Sequence, residues 1–414
     1  MREGWKKYKL GDLIDIKHGY AFKGEFFSDQ TTNDILLTPG NFKIGGGFKN
    51  DKFKYYKGDY PEDYILKVGD IIVTMTDLSK EGDTLGYSAI VPDDAPNKFL
   101  HNQRIGLIQF KNEEIDKHFV YWLLRTKTYQ TFIVNSATGS TVKHTSPTRI
   151  QEYEFEAPDL STQRRAAAIL SALDEKIELN RQTNQTLEAI AQAMFKEWFV
   201  DINFPGATGE MQESELGPIP MGWKVEKIKA LAKKIQYGLT QSASANEVGP
   251  RFLRITDIQN GVIDWSSVPF CVVKDKDHEK YGIKKYDIFI ARTGASTGEN
   301  ALVVNPPKAV FASYLIRIQF ARPELALYVA KFLRTNKYSE FIDGIKSGSA
   351  QPNANAQELT DQEIVVPSDG LLKDYFQIVS IFEEIKSENQ YQNQALTQIR
   401  DNLLPKLISG EIDV

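Results

Sequence analysis

Residues 161–199 read STQRRAAAILSALDEKIELNRQTNQTLEAIAQAMFKEWF, a stretch without proline or glycine. Apolar and amide side chains recur in it at alternating intervals of four and three residues, at Leu173, Ile177, Asn180, Asn184, Leu187, Ala191, Met194 and Trp198. Such a heptad stripe is typical of a helix that buries one face along a second helix. The stretch therefore predicts one continuous helix of about 58 Å, at a rise of about 1.5 Å per residue.

A second stripe runs through residues 371–404, just before Pro405, which we expect to end or kink the helix. Its members are Phe382, Ile385, Asn389, Gln392, Leu396, Ile399 and Leu403. The two halves of the chain resemble each other in sequence, as described next. If the two stripes pair within one chain, the pseudo-two-fold symmetry of these halves makes the helices antiparallel, with Asn180 facing Asn389. Leu187 would then lie beside Phe382, and Leu173 beside Leu396. The alternative is that each helix packs elsewhere, because any long amphipathic helix shows such a stripe.

The chain also repeats itself outside these helices. Arg125 and Arg334 lie 209 positions apart, and the same offset relates Pro158 to Pro367. Upstream the offset drifts, as loop insertions would cause, and residues 104–110 resemble residues 315–320. Each half therefore runs from a β-rich region through a short helix and a Gly-Ser loop into a long helix.

The fold class that follows is α+β, because short β-branched strands mix with helices without βαβ regularity. We expect two similar domains separated by two long helices that form an antiparallel coiled coil, in the shape of a dumbbell. The predicted boundaries are residues 1–158 for the first domain, 159–204 for the central helix, 205–368 for the second domain, and 369–414 for the C-terminal helix and tail.

Composition excludes several classes of protein. The chain has 414 residues, 41% of them hydrophobic, and a single cysteine, Cys271. This length allows two or three globular domains, and one cysteine allows neither an internal disulfide nor a cysteine-rich zinc site. No run of about 18 apolar residues is present, and the N-terminus has no apolar signal region. We therefore expect a cytoplasmic protein.

Motifs for catalysis are missing from the sequence. It holds no GxxxxGK[ST] phosphate loop, and its five histidines show no spacing typical of metal ligands. Asn305-Pro306-Pro307-Lys308 is similar to a motif of amino-methyltransferases, but Lys308 stands where an aromatic ring must stack on the flipped base. We predict a chain without catalytic residues, bound metal or cofactor of its own.

These features together resemble the specificity subunits of type I restriction–modification systems, over the whole length of the chain. The resemblance rests on the alternation of two domains with two similar helices, and on LSTQ (160–163), DEKI (174–177), FKEWF (195–199) and LPKLISGEI (404–412). It implies that each domain is a target-recognition domain that reads one half of a bipartite DNA sequence, and that the helices set the gap.

The resemblance also implies the partners. They are double-stranded DNA, two modification (methyltransferase) subunits and, in the full complex, restriction subunits. S-adenosylmethionine, ATP and Mg²⁺ would be bound by these partner subunits. Because the two domains diverge strongly, two unlike half-sites are expected. The alternative function is a standalone, two-headed, sequence-specific DNA-binding protein.

Candidate DNA contacts are polar or planar side chains in loops between strands, which can reach base edges. In the first half they are Lys23, Thr76, Lys80, Arg104, Ser140, Thr141, Lys143 and His144; in the second half they are Tyr237, Gln241, Arg254, Arg292, Thr293, Ser296, Ser349, Gln351 and Asn353. Each is otherwise an ordinary solvated loop residue. Apolar residues that flank the stripe are expected to be exposed and to bind partner helices, and they are Ile169, Ile190, Phe195, Ile381 and Leu404. The alternative is that they cap the two-helix core or pack on the recognition domains.

Overall fold

The structure, a computed structural model, describes residues 4–50, 52–346 and 354–414. The chain divides into two compact units. The first contains Met1–Lys176 and Leu396–Val414, and the second contains Ile177–Ala395. Both units mix helices with short strands, which confirms the predicted α+β class. The four-part division at residues 158, 204 and 368 stays a prediction, because the two units share out the long helices differently.

The first unit is built around a four-stranded antiparallel sheet. Its strands, in spatial order, are Ile14–His18, Ile105–Phe110, Ile71–Thr74 and Ser88–Ile90. A five-stranded sheet contains Phe27–Ser28, Lys54–Tyr56, Asp34–Leu36, Lys98–Leu100 and Ile65–Leu66, and two pairs join Lys6–Lys9 to Glu154–Ala157 and Thr76–Asp77 to Lys143–His144. The helices are Leu10–Leu13, Lys117–Leu123, Lys127–Asn135 and Pro147–Gln151, with short 3₁₀ turns at Gly24–Phe26, Pro39–Asn41 and Glu62–Tyr64.

The second unit repeats the four-stranded sheet. Its strands, in the same spatial order, are Lys234–Tyr237, Leu315–Gln319, Ile288–Ala291 and Asn300–Leu302. Four two-stranded pairs join Lys224–Lys227 to Glu363–Val366, Arg251–Leu253 to Ala309–Phe311, Ile258–Gln259 to Val262–Ile263, and Met211–Gln212 to Ile219–Pro220. The helices are Ile228–Leu231, Asp275–Tyr281, Pro323–Phe332, Asn336–Lys346 and Ala356–Leu359, with 3₁₀ turns at Ile255–Asp257 and Gly294–Ser296.

The third strand of each sheet lies at the centre of its core. All four residues of Ile71–Thr74 are buried, and so are all four of Ile288–Ala291. A short, continuous apolar run is the pattern of a strand that is covered on both faces. A helix packs on each core, and it contributes the fully buried Phe119 and Trp122 in the first unit and Leu327 and Val329 in the second.

The two long helices cover Leu160–Phe195 and Asp369–Ile408. The first ends in a π-helical turn at Lys196–Val200, close to the predicted end. The second passes through Pro405 and continues to Ile408, so of the two expected effects of Pro405, an end or a kink, the end is wrong. The last residues continue as helix because Leu407 and Ile408 are buried in the core of the first unit.

Within the second unit the two long helices run antiparallel, as predicted. Asn180 Nδ2 donates to Gln392 Oε1 at 2.6 Å and to Asn393 Oδ1 at 2.9 Å. Asn389 Nδ2 donates to Asn184 Oδ1 at 2.8 Å. The predicted register, with Asn180 facing Asn389, is therefore wrong by about one helical turn. The pairings of Leu187 with Phe382 and of Leu173 with Leu396 were derived from that register and fall with it.

The buried face of the second helix also differs from the predicted stripe. All residues of the first stripe are buried or half-buried, but Ile385 and Ile399 of the second are 41% and 47% exposed. Glu383 and Ser387 are buried in their place, each 8% exposed. The physical reason is an ion cluster around Glu383, described below, which turns this charged side chain inward.

Candidate nucleic-acid interface

In the first unit, three chain segments meet where the central strand Ile71–Thr74 ends. The Met75 N–H donates to the Arg104 carbonyl at 2.9 Å, and the Thr145 N–H donates to the Met75 carbonyl at 3.0 Å. The main chain of Met75 is thus held on both sides. Its N–H is bound by Arg104, which precedes the strand Ile105–Phe110, and its carbonyl is bound by the loop that follows Asn135. We call this arrangement, together with the adjoining residues 76, 77, 143 and 144, the first junction.

The second unit contains the same hydrogen bonds. The Arg292 N–H donates to the Tyr314 carbonyl at 3.1 Å, and the Ala354 N–H donates to the Arg292 carbonyl at 3.0 Å. Arg292 therefore corresponds to Met75, Tyr314 to Arg104, and Ala354 to Thr145. We call this arrangement, with the adjoining Thr293 and Tyr237, the second junction. Both junctions follow a fully buried strand, which gives them a rigid base.

The first junction contains four of the eight predicted first-half residues: Thr76, Arg104, Lys143 and His144. Thr76 pairs with His144 across a two-residue ladder, and Thr76 Oγ1 lies 3.1 Å from His144 Nδ1. Arg104, Ser140, Thr141 and His144 are exposed, and Lys143 is half-buried. Thr76 itself is only 5% exposed, so its hydroxyl serves to orient the His144 ring.

Lys80 lies in a turn that Asp77 organises. The Asp77 carboxylate accepts hydrogen bonds from the Ser79 N–H at 2.6 Å and from Thr84 Oγ1 at 2.7 Å. Burial opposes ionisation of Asp77, but these hydrogen bonds outweigh it and hold its pKa below the ordinary value. The charged carboxylate thereby orders the turn and presents the exposed Lys80 next to the first junction.

The second junction brings together Tyr237, Arg292 and Thr293. The Arg292 guanidinium lies over the Tyr237 ring, 5.1 Å from its centroid, and the Tyr237 hydroxyl accepts a hydrogen bond from the Ala356 N–H at 2.8 Å. Thr293 precedes the 3₁₀ turn that contains Ser296. The main-chain hydrogen bonds are thus equivalent in the two units, whereas the side chains that they position differ.

Other predicted residues lie away from the junctions or are already paired. Lys23 is exposed just before the turn Gly24–Phe26, and Gln241 Nε2 donates to the Val272 carbonyl at 2.8 Å. Arg254 is engaged by the Asp257 carboxylate, with Nη2 at 2.8 Å and Nε at 3.1 Å. Ser349, Gln351 and Asn353 lie outside the described residues.

Tyr314 is a candidate that the sequence reasoning missed. It is 55% exposed and occupies the place in the second junction that Arg104 occupies in the first. The signal was present in the sequence, because aligning residues 104–110 with the second half places Tyr314 opposite Arg104.

A buried ion cluster anchors the second domain to the helix pair. Lys331 Nζ lies 2.7 Å from Glu188 Oε2 and 2.7 Å from Glu383 Oε1, with its side chain 4% exposed. Lys386 contacts the same two carboxylates. Burial disfavours the charged form of Glu188, but the neighbouring cations Lys331, Lys386 and Arg334 hold its pKa well below the ordinary value.

The first unit has a matching cluster at Asp174, the residue that the repeat relates to Glu383. Arg125 Nη1 and Arg400 Nη1 each lie 2.5 Å from an oxygen of the Asp174 carboxylate. Arg125 also donates to the Gly45 carbonyl from Nε at 3.0 Å. Its repeat mate Arg334 donates likewise to the Asn260 carbonyl at 2.8 Å. Each domain is therefore fixed to helical residues of its own unit by charge-assisted bonds.

The apolar residues predicted to bind partner helices divide into two groups. Ile169, Ile190 and Ile381 are exposed, at 39%, 43% and 57%. Phe195 and Leu404 are 2% and 8% exposed, and their prediction as surface residues is wrong. Phe195 packs on Phe199 and Tyr328 in the second core, and Leu404 belongs to the first core.

The described part of the chain has neither a cluster of metal-ligating side chains nor a helix suited to a membrane. Within residues 4–50, 52–346 and 354–414, no three side chains among histidine, cysteine, aspartate and glutamate are placed to hold a metal ion. Over the same residues, no helix combines the length and the apolar character needed to cross a membrane.

Comparison with known proteins connects this architecture to one family. The family model described as the type I restriction modification DNA specificity domain matches residues 2–189. The chain is 28% identical to the specificity subunit of the type I restriction enzyme MjaIX from Methanocaldococcus jannaschii, over 80% of this chain and 76% of that one. It is 25% identical to the HindI specificity subunit from Haemophilus influenzae, over 99% of both chains.

A solved structure shares the fold. The S subunit of a type I restriction–modification system from M. genitalium superposes with a TM-score of 0.60 and 17% identity, over 97% of this chain and 96% of that one. The fold described above and the sequence relatives thus point to the same kind of protein. Residues 2–189 match the type I restriction modification DNA specificity domain, and over most of its length the chain is similar to specificity subunits of type I restriction enzymes.

Proposed function

We propose that this chain is the DNA sequence-recognition subunit of a type I restriction–modification complex. Each junction reads one half of a bipartite target, and the antiparallel helices set the gap between the halves. The observation that carries the proposal is the duplication of the junction, since the same main-chain hydrogen bonds hold Met75 and Arg292 in the two units. Two copies of a reading surface in one chain suit two half-sites of one duplex.

The chain itself contributes recognition and placement but no chemistry. Two modification subunits methylate the DNA and bind S-adenosylmethionine, and restriction subunits with ATP and Mg²⁺ join them in the full complex. The exposed Ile169, Ile190 and Ile381 on the long helices offer apolar contacts for partner helices. A net charge of −5 is compatible with this role, because partner subunits supply phosphate contacts while the junction loops carry local cations.

The test is co-expression with a modification subunit, followed by purification of the complex and methylome sequencing. We expect a stable complex and a methylated bipartite motif with a fixed gap. The purified chain alone should transfer no methyl group from labelled S-adenosylmethionine. Methyl transfer by the isolated chain would contradict the proposal, and tight specific DNA binding without any partner would favour the standalone regulator.

A further inference from the structure

We propose that Arg292 determines the specificity of the second half-site by reading a guanine. The inference rests on the proposed function and deepens it, since it names the base and the side chain that recognises it. Four features of the residue support it: its main-chain anchoring, its side-chain donors without an acceptor, its stacking on Tyr237, and the residue that takes its place in the first unit.

The backbone of Arg292 is held on both sides. Its N–H donates to the Tyr314 carbonyl and its carbonyl accepts from the Ala354 N–H, at 3.1 Å and 3.0 Å. The preceding strand Ile288–Ala291 is fully buried. A reading side chain must start from a rigid base, because errors in its position weaken a directional hydrogen bond. Since these bonds use the main chain alone, changing the side chain leaves them in place.

The Arg292 side chain is unusual among the arginines of the second unit. Among the described residues of that unit, every other arginine side chain has an oxygen partner: Glu178 for Arg181, Val268 for Arg251, Asp257 for Arg254, Asp287 for Arg317, Asp369 for Arg322, and Asn260 for Arg334. Within the same described residues Arg292 has none, and its Nε is buried without an acceptor. Because Nε is buried, a ligand would supply acceptors to the Nη groups of this half-buried side chain.

Stacking orients the free guanidinium. The ring of Tyr237 lies 5.1 Å below it, and the exposed Tyr314 adjoins it through the main-chain hydrogen bond. A cation over a tyrosine ring is held by electrostatic attraction, which restricts its rotation before DNA arrives. A planar, oriented guanidinium matches the O6 and N7 acceptors of guanine in the major groove, and this is the commonest specific protein–DNA contact.

The first junction has a different side chain at the corresponding place. Met75 is 3% exposed and carries no donor. There the polar groups come from Arg104 and His144 instead, both exposed. The two junctions therefore share a backbone but present different chemistry, and the inferred guanine contact belongs to the second half-site alone.

The experiment uses the complex with modification subunits and compares methylomes of the wild type and of Arg292→Gln. We expect discrimination at one G·C pair of the second half-site to fall by roughly 5- to 150-fold, the range of one bidentate contact, with the first half-site unchanged. Arg322→Gln is the matched control: its guanidinium is already bound to Asp369 and it is not a candidate DNA contact, so the motif methylated by this variant should equal that of the wild type.

Arg292→Met provides a second variant, because methionine is accommodated at the corresponding Met75. If Arg292→Gln fails to assemble, this variant carries the test with the same expectation. An unchanged motif in an assembled variant, or equal losses in both half-sites, would overturn the inference. Failure of the wild-type complex to methylate a bipartite motif would instead count against the proposed function, so the two failures are distinguishable.

Discussion

Lys331 holds a positive charge almost entirely away from water, between the carboxylates of Glu188 and Glu383. Removing one partner of such a buried pair leaves the remaining charges without compensation, and this costs much more than losing an exposed ion pair. Lys331 therefore attaches the second domain to the long helices within its unit, although it lies far in sequence from both carboxylates.

We expect Lys331→Met to lower the free energy of unfolding by about 3–5 kcal/mol, as measured by urea denaturation. Lys7→Met is the control, because its ion pair with Glu154 is exposed and its loss should leave the free energy of unfolding nearly unchanged. Adding Glu383→Gln to Lys331→Met should recover part of the loss, because it removes one of the unpaired charges. Equal effects of the two lysine substitutions would contradict a structural role for the cluster.

The same cluster predicts a dependence of stability on pH. The pKa of Glu188 is lower in the folded chain than its ordinary value of 4.5, so the folded state binds fewer protons. Its stabilising contribution is complete above about pH 4.5 and is lost as the pH falls toward the folded-state pKa. In urea titrations from pH 7 to pH 3, the difference in the free energy of unfolding between the wild type and Glu188→Gln should shrink. A difference that stays constant with pH would rule this linkage out.

At the scale of elements, amides set the register of the helix pair. Five amide side chains form hydrogen bonds between the two long helices of the second unit, namely those of Asn180, Asn184, Asn389, Gln392 and Asn393. Asn180 is buried, and Asn184, Asn389 and Asn393 are half-buried. Amides in such positions cost stability but penalise other registers, because a shifted helix would leave them without partners.

Cysteine pairs test this register, once the native thiol is removed by Cys271→Ala. A disulfide requires Cα atoms within about 7 Å. Asn184→Cys with Asn389→Cys should cross-link within one chain upon oxidation, as scored by mobility on a non-reducing gel. Asn180→Cys with Asn389→Cys, one turn out of register, serves as the control and should link poorly. Preferential linking of the control pair would contradict the register.

For the whole molecule, the proposed function makes the helices a ruler for the gap between half-sites. Matched insertions of seven residues near Asn184 and near Gln392 keep the heptad phase and add about 10.5 Å to each helix. At about 3.4 Å per base pair, the gap should widen by about three base pairs in the methylome. The duplex also rotates by about a third of a turn over that distance. An active variant with an unchanged gap would refute the ruler.

The sequence by itself determined the duplicated unit, the α+β class and the two long helices with their antiparallel direction. These features depend on local periodicity and on the offset of 209 residues, both of which can be read along the chain. The loops that form the junctions were also identifiable, because polar residues cluster at the strand ends.

Only the tertiary structure decided the register of the helix pair, the buried face of the second helix and the state of each candidate arginine. Glu383 turns inward because Lys331, 52 positions away, supplies its counter-charge. Arg254 is paired with Asp257, whereas Arg292 stacks on Tyr237 and has no side-chain acceptor among the residues that the structure describes. Periodicity cannot predict such outcomes, because pairing energy depends on which side chains from separate segments meet in the folded core.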